Sequence, residues 1–191
     1  MLYFWKNDNV LKKLFYLLII PIAATIGFQA CEKDDICAEN TPTTPHLIIR
    51  FYDLADTEEF KNVSGLFAYG LDDNNNAIPL ENIIVSSTDS IVIPLLTDMV
   101  STRFVLHKDY GIDNNGTPDD ETDDILLGNP EIITLNYEPE DVYVSRACGF
   151  KTVFNTIIFN VTIDGDNWIL NSEVSNTTVE NENAAHVKVF H

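Results

Sequence analysis

"NTIIFNVTIDGDNWILNSEV", residues 155–174, decides what kind of fold this chain makes. Two runs rich in Ile, Val, Phe and Trp flank Asp-Gly-Asp-Asn at 164–167. β-Branched and aromatic side chains suit a pleated, half-buried surface, whereas clustered Asp, Asn and Gly supply the backbone angles of a turn. The apolar residues do not recur at a 3.6-residue period. The stretch reads as strand, turn, strand.

The same punctuation runs through most of the chain. Strand-like runs fall at "HLIIRFYD" (46–53), "SGLFAYG" (64–70), "NIIVS" (82–86), "SIVIPLL" (90–96) and "TRFVLHK" (102–108). They continue at "DILLG" (124–128), "EIITLNY" (131–137), "DVYVSRAC" (141–148) and "AHVKVF" (185–190). "LDDNNNA" (71–77) and "NNGTP" (114–118) mark further turns. Residues 56–62 and 149–155 have room for single helical turns. The expected fold is all-β: an antiparallel β-sandwich, Greek-key or immunoglobulin-like, of about nine to eleven short strands.

Residues 1–30 are different. Lys6, Lys12 and Lys13 precede an apolar stretch from Leu14 to Phe28, and the small residue Ala30 stands before Cys31. Basic, apolar, small is the order of a secretory signal. The apolar stretch is short for a membrane-spanning helix, which needs roughly 20 residues. An uncleaved anchor is the alternative. With Cys31 directly after the small residue, the region resembles a bacterial lipoprotein signal, in which the cysteine sulfur is acylated and becomes the new N-terminus. Phe28 and Gln29 depart from the usual Leu and Ala or Ser at those positions. Glu32, Lys33, Asp34 and Asp35 resemble the short charged signal that sends some Bacteroidetes lipoproteins to the cell surface. The expectation is a signal peptide over 1–30, a lipidated tether and linker over 31–45, and one domain over 46–191. The protein would sit lipid-anchored at the outer membrane, on its periplasmic face or at the cell surface.

If Cys31 carries lipid, Cys37 and Cys148 remain. An even remainder in an exported protein favours one disulfide over two buried thiols. A metal pair fits poorly, because no second cysteine pair or nearby histidine completes a ligand set. Cleavage after residue 30 leaves 161 residues with 8 basic and 29 acidic side chains, a net charge of −21. Such a chain is repelled by phosphate backbones, which argues against a nucleic-acid partner.

"CEKDDIC", "PHLIIRFYD", "IVIPLL", "VYVSRACGF" and "HVKVF" together resemble a family of small uncharacterised Bacteroidetes lipoproteins, a domain of unknown function. The resemblance implies export, lipidation and pairing of the cysteines. It implies no activity, substrate or cofactor.

Candidate sites are few. "DNNGTPDDETDD" (113–124) gathers hard oxygen donors on a Gly-bearing turn: Asp113, Asn115, Thr117, Asp119, Asp120, Asp123 and Asp124. Calcium takes six to eight such ligands. The stretch looks like the Asp-rich calcium repeats of thrombospondin type 3, but it is one copy and lacks their tight alternation of Asp; a polar loop is the plainer reading. "DSI" (89–91) matches the Asp-Ser/Thr-apolar pattern of Bacteroidetes O-glycosylation, with Ser90 as acceptor. Arg146, placed by alternation on one strand face with Val142, Val144 and Cys148, calls for an acid such as Asp53 or Glu138. His46, His107, His186 and His191 have no metal-site spacing. No local catalytic constellation is visible. The leading expectation is therefore a non-enzymatic envelope lipoprotein that binds a protein partner or serves an envelope assembly. The alternatives are a glycan- or calcium-binding surface protein and, further off, a hydrolase built on His107, His186 or a carboxylate pair.

Overall fold

The computed structural model describes residues 36–38, 41, 43–81 and 83–191; the signal and Cys31 lie outside them. The described residues form ten strands: β1 (Leu47–Tyr52), β2 (Val63–Leu71), β3 (Ala77–Pro79), β4 (Ser86–Thr88), β5 (Ser90–Ile93), β6 (Ser101–Asp113), β7 (Ile125–Ser145), β8 (Gly149–Val161), β9 (Asn171–Val174) and β10 (Val187–Phe190). The only helical piece among the described residues is a 3-10 turn at Glu121–Asp123. Two sheets pack together as a β-sandwich. One has the order β5-β1-β10-β9. The other runs β3-β2-β6-β7-β8, with β4 also pairing β2. β5 with β1, β10 with β9, β2 with β3, β4 and β6, and β6 with β7 pair antiparallel, whereas β1 and β10 run parallel with Ile49 opposite Val187 and Phe51 opposite Val189.

Alternation makes the core. In β1, Leu47, Ile49 and Phe51 are fully buried and the residues between them only partly so. Side chains at i and i+2 share a face, so each strand delivers its apolar set to one layer. Ile91 and Ile93, Phe104 and Leu106, Ile133 and Leu135, and Val187 and Val189 join them in one cluster. In β8 the phase slips: Thr152 and Phe154 face inward, then Ile157 and Phe159. Thr156 between them has φ +57°, and this extra residue in left-handed geometry is what shifts the phase.

Four strands, β2, β6, β7 and β8, are longer than the sequence runs. "DILLG", "EIITLNY" and most of "DVYVSRAC" join into the 21-residue β7, which contains Pro130 and Pro139. Each proline's missing N–H falls where no neighbour waits for it. Tyr137 N–H donates to Val100 O, so odd positions of β7 face β6 and even ones face β8. Pro139 lies past the start of β6. Pro130 lies past the point where Thr162 N–H, just after β8, donates to Ile132 O. Residues 149–155, expected as a helical turn, belong to β8, and 56–62 is an irregular turn. "NIIVS" is not a strand over its length: 83–85 are loop and only Ser86 begins β4. The quoted turn at 164–167 does not link neighbouring strands either. It carries the chain from β8 in one sheet to β9 in the other.

The described residues divide into two compact units: those up to Thr41 with Tyr143–Phe150, and those within Pro42–Val142 with Lys151–His191. In the first, Cys37 and Cys148 form a disulfide across 111 positions, with Cα atoms 4.9 Å apart. Tyr143 and Phe150 stack edge to face at 5.5 Å. The second unit holds the core described above.

Candidate functional site: an aliphatic cleft between the sheet edges

A cleft of about 670 Å³ opens where the edge strands of the two sheets face each other. Its floor is Leu66 of β2 and Ile91 of β5, both buried. Leu80, Ile83 and Ile84 line it from the β3–β4 loop, and Val92, Pro79 and Pro94 complete the apolar lining. Ile84 is 75% exposed and Val92 43%. Ser86, Thr88 and Ser90 add hydroxyls, and His46 and Glu81 bring the charged or titratable groups. No Phe, Tyr or Trp is among the lining residues, so it offers an aliphatic surface rather than the aromatic platform on which a sugar ring would stack.

β5 is an edge strand, yet its outer edge is mostly blunted. Asp89 O accepts from Phe51 N–H, which turns the backbone groups of Ile91 and Ile93 toward β1 and those of Ser90, Val92 and Pro94 outward. Thr88 Oγ1 accepts from Ser90 N–H at 3.3 Å and donates to Ser90 O at 3.0 Å. Pro94 has no N–H to offer. An incoming chain would find little ladder to extend here. The cleft is suited to receive side chains.

The histidines are engaged in structure. His46 Nδ1 sits 2.7 Å from Glu182 Oε1, which also accepts the His46 backbone N–H at 2.8 Å. That backbone bond is the main reason Glu182 titrates below the usual carboxylate range. His186 is buried and uses both ring nitrogens, one toward Ile48 N–H and one toward Asn181 O. His107 is 1% exposed, its ring nitrogens make no hydrogen bond, and Tyr110 packs against it edge to face. His191 packs edge to face on Phe51 and Trp168. Burial lowers the pKa of all three. Glu131 is fully buried without a cation. Its Oε1 accepts from Trp168 N–H at 2.6 Å and its Oε2 from Asn167 Nδ2 at 2.5 Å. Burial pushes its pKa up.

The acidic loop spends several of its oxygens on itself. Asp113 Oδ1 accepts from Asn115 N–H at 3.0 Å, and Thr117 Oγ1 donates to Asp123 at 2.8 Å. Asp120 caps the 3-10 turn through Thr122 N–H and Oγ1 at 3.1 and 2.6 Å, which lowers its pKa. Among the described residues, no three His, Cys, Asp or Glu side chains converge as a metal site would require. Ser90 is the first residue of β5, is half-buried, and lines the cleft. Arg146 is not on a strand: β7 ends at Ser145 and 146–148 turn. The acids expected for it have other partners. Asp53 lies 3.6 Å from Lys61, and Glu138 accepts from Thr156 Oγ1 at 3.2 Å.

Sequence reading missed the cleft. Its residues come from three separated stretches, at 46, 66 and 79–94, and the one local signal was the apolar "NII" in a segment without alternation. The described residues thus define a small all-β sandwich with an aliphatic cleft between its sheet edges. The chain belongs to a protein family of unknown function, DUF6452, whose model matches residues 65–191. No curated protein and no solved structure matches the chain.

Proposed function

We propose that this is a non-enzymatic cell-envelope lipoprotein that acts as a protein-interaction or envelope-assembly module. Residues 1–30 are its signal peptide, Cys31 bears the lipid, 32–45 are the tether, and 46–191 are the working domain. The supporting residues are the basic-apolar-small order before Cys31 and the Cys37–Cys148 bond, which suits an oxidising compartment outside the cytosol. The Bacteroidetes outer membrane is the setting that the sequence resemblance implies.

The observation that carries the interaction reading is the cleft. An exposed aliphatic surface rimmed by polar groups is costly to leave in water and is typical of a place where another molecule docks. The test is cross-linking in living cells followed by mass spectrometry of the purified protein. A partner that cross-links to the wild-type chain and is lost in Ile84→Asp supports the module. The Cys31 peptide should carry acyl chains. An unmodified Cys31 would remove the lipid anchor from the reading, and a partner pattern unchanged by Ile84→Asp would remove the cleft.

A further inference from the structure

We propose that the β6–β7 ribbon beyond Asp109 is a docking arm for a protein that presents an apolar groove bordered by lysine or arginine side chains. This rests on the interaction-module reading, but on neither the lipid nor the cleft.

The ribbon is what remains when the neighbouring strands stop. β2 pairs with β6 only as far as Phe67 opposite His107. On the other side, the residue after β8 makes its bond to Ile132 O. Past that point β6 and β7 pair with each other, with Gly111 opposite Leu127, Ile112 opposite Leu126 and Asp113 opposite Ile125. The base is bent on both strands. Asp109 has φ +54° and Gly128 φ +97°, and a Cβ on Gly128 would come 2.4 Å from Lys108 O. Only glycine lets the strands approach this closely.

Each face of the ribbon carries apolar side chains with no layer over them. Ile112 (57% exposed) and Leu126 (54%) are cross-strand partners on one face. Ile125 (52%) and Leu127 (45%) share the other, and Leu127 lies over the bare Gly111. A two-stranded ribbon has no third element with which to bury either face.

Charge selects the occupant. Asp113, Asp119, Asp120, Glu121, Asp123 and Asp124 surround the tip, and residues 113–124 contain no Lys or Arg. Two copies meeting through this arm would concentrate that charge, so self-association is opposed. A basic-rimmed groove satisfies the apolar faces and the acidic tip together.

The experiment uses residues 31–191 with Cys31→Ser, the proposed mature chain without its lipid, with Ile and Leu methyls labelled for NMR. The probes are three synthetic extended peptides of equal length: alternating Lys-Leu, alternating Glu-Leu and alternating Lys-Ser. The Lys-Leu peptide should shift the methyls of Ile112, Ile125, Leu126 and Leu127. It should bind at least tenfold tighter than either other peptide and weaken as salt rises. Ile112→Ser with Leu126→Ser should lose at least tenfold of that affinity. Ile112→Thr with Leu126→Thr, which keeps strand propensity, should lose it as well. Equal binding by the Lys-Ser peptide, unchanged binding by both double variants, or shifts confined to Ile84 and Val92 would each overturn the arm. So would a dimer seen by sedimentation that the double variants abolish. Failure here leaves the Cys31 and Ile84 readouts standing, so the two proposals fall separately.

Discussion

His186 accepts the Ile48 amide N–H through Nδ1 at 3.0 Å, and its own backbone N–H donates to Ile48 O at 2.9 Å. The imidazole and the main chain close one ring across 138 positions of sequence. Because Nδ1 accepts, the proton sits on Nε2, which donates to Asn181 O at 3.1 Å. The ring is held neutral.

Stability should therefore fall on mild acidification. Burial holds the folded-state pKa of His186, His107 and His191 below the ordinary 6.5. Above that value both folded and unfolded chains are neutral at these sites, and the full stability is present. Below it the unfolded chain takes up protons that the folded one refuses, so stability is lost as pH drops toward the folded values. Glu131 works in the opposite sense, since its raised pKa lets the folded state bind a proton first. Melting temperature measured from pH 8 to 5 should decline below about 6.5, and the slope should lessen in His186→Gln. A flat profile would contradict the neutral, buried rings.

Glu131→Ala should be among the costlier single changes. It leaves the buried Trp168 N–H without its acceptor, whereas the half-buried Asn167 amide keeps its bond to Thr162 O. An orphaned buried donor costs about 1–3 kcal/mol, so a loss of about 2 kcal/mol is expected in urea unfolding. Glu131→Gln keeps one acceptor and should lose about half as much. A near-neutral Glu131→Ala would mean that the 162–168 segment is not held by this carboxylate.

Tyr137→Phe should cost about 1–2 kcal/mol. The buried hydroxyl donates to Leu96 O at 2.9 Å, accepts from Leu96 N–H at 3.0 Å and contacts the Thr102 hydroxyl. It therefore fixes the chain just after β5 to β7. Loss of amide-exchange protection at Leu96 in the variant is the specific readout. Lower stability with that protection intact would point to packing instead.

Reducing the Cys37–Cys148 bond should destabilise the protein. In the chain-entropy model, closing a loop of about 100 residues contributes roughly 4–5 kcal/mol. Cys37→Ser with Cys148→Ser should lower the urea midpoint, and a reducing agent should bring the wild type to the same value. If reductant moves nothing, the entropic account fails for this chain.

Much of the architecture was readable because it depends on local chemistry. The β-branched runs, the turns rich in Asp, Asn and Gly, and the cysteine parity needed no partner strand to interpret. What escaped reading depends on partners. Pro130 and Pro139 fall between runs that read as separate strands, and they are tolerated within one strand because the strand each would have bonded to is absent at that position. Thr156 shows no sequence mark of its left-handed backbone. Ile83 and Ile84 looked like strand and became cleft, because β4 pairs with β2 while β5 pairs with β1, and the segment before them lines the gap. Arg146 was placed by alternation on a strand that ends one residue earlier.

The parallel contact of β1 with β10 has a consequence for how this protein comes into being. Residues 47–52 lie next to 187–190 in the middle of their sheet, so that sheet cannot close until nearly the whole chain is present. Contacts this distant in sequence make folding slow. A chain threaded through a translocation pore from its N-terminus would emerge with β1 and β5 paired and the place beside them empty. It would depend on chaperoning until the last strand arrived, and truncations that spare every site residue but remove 187–190 should fail to fold at all.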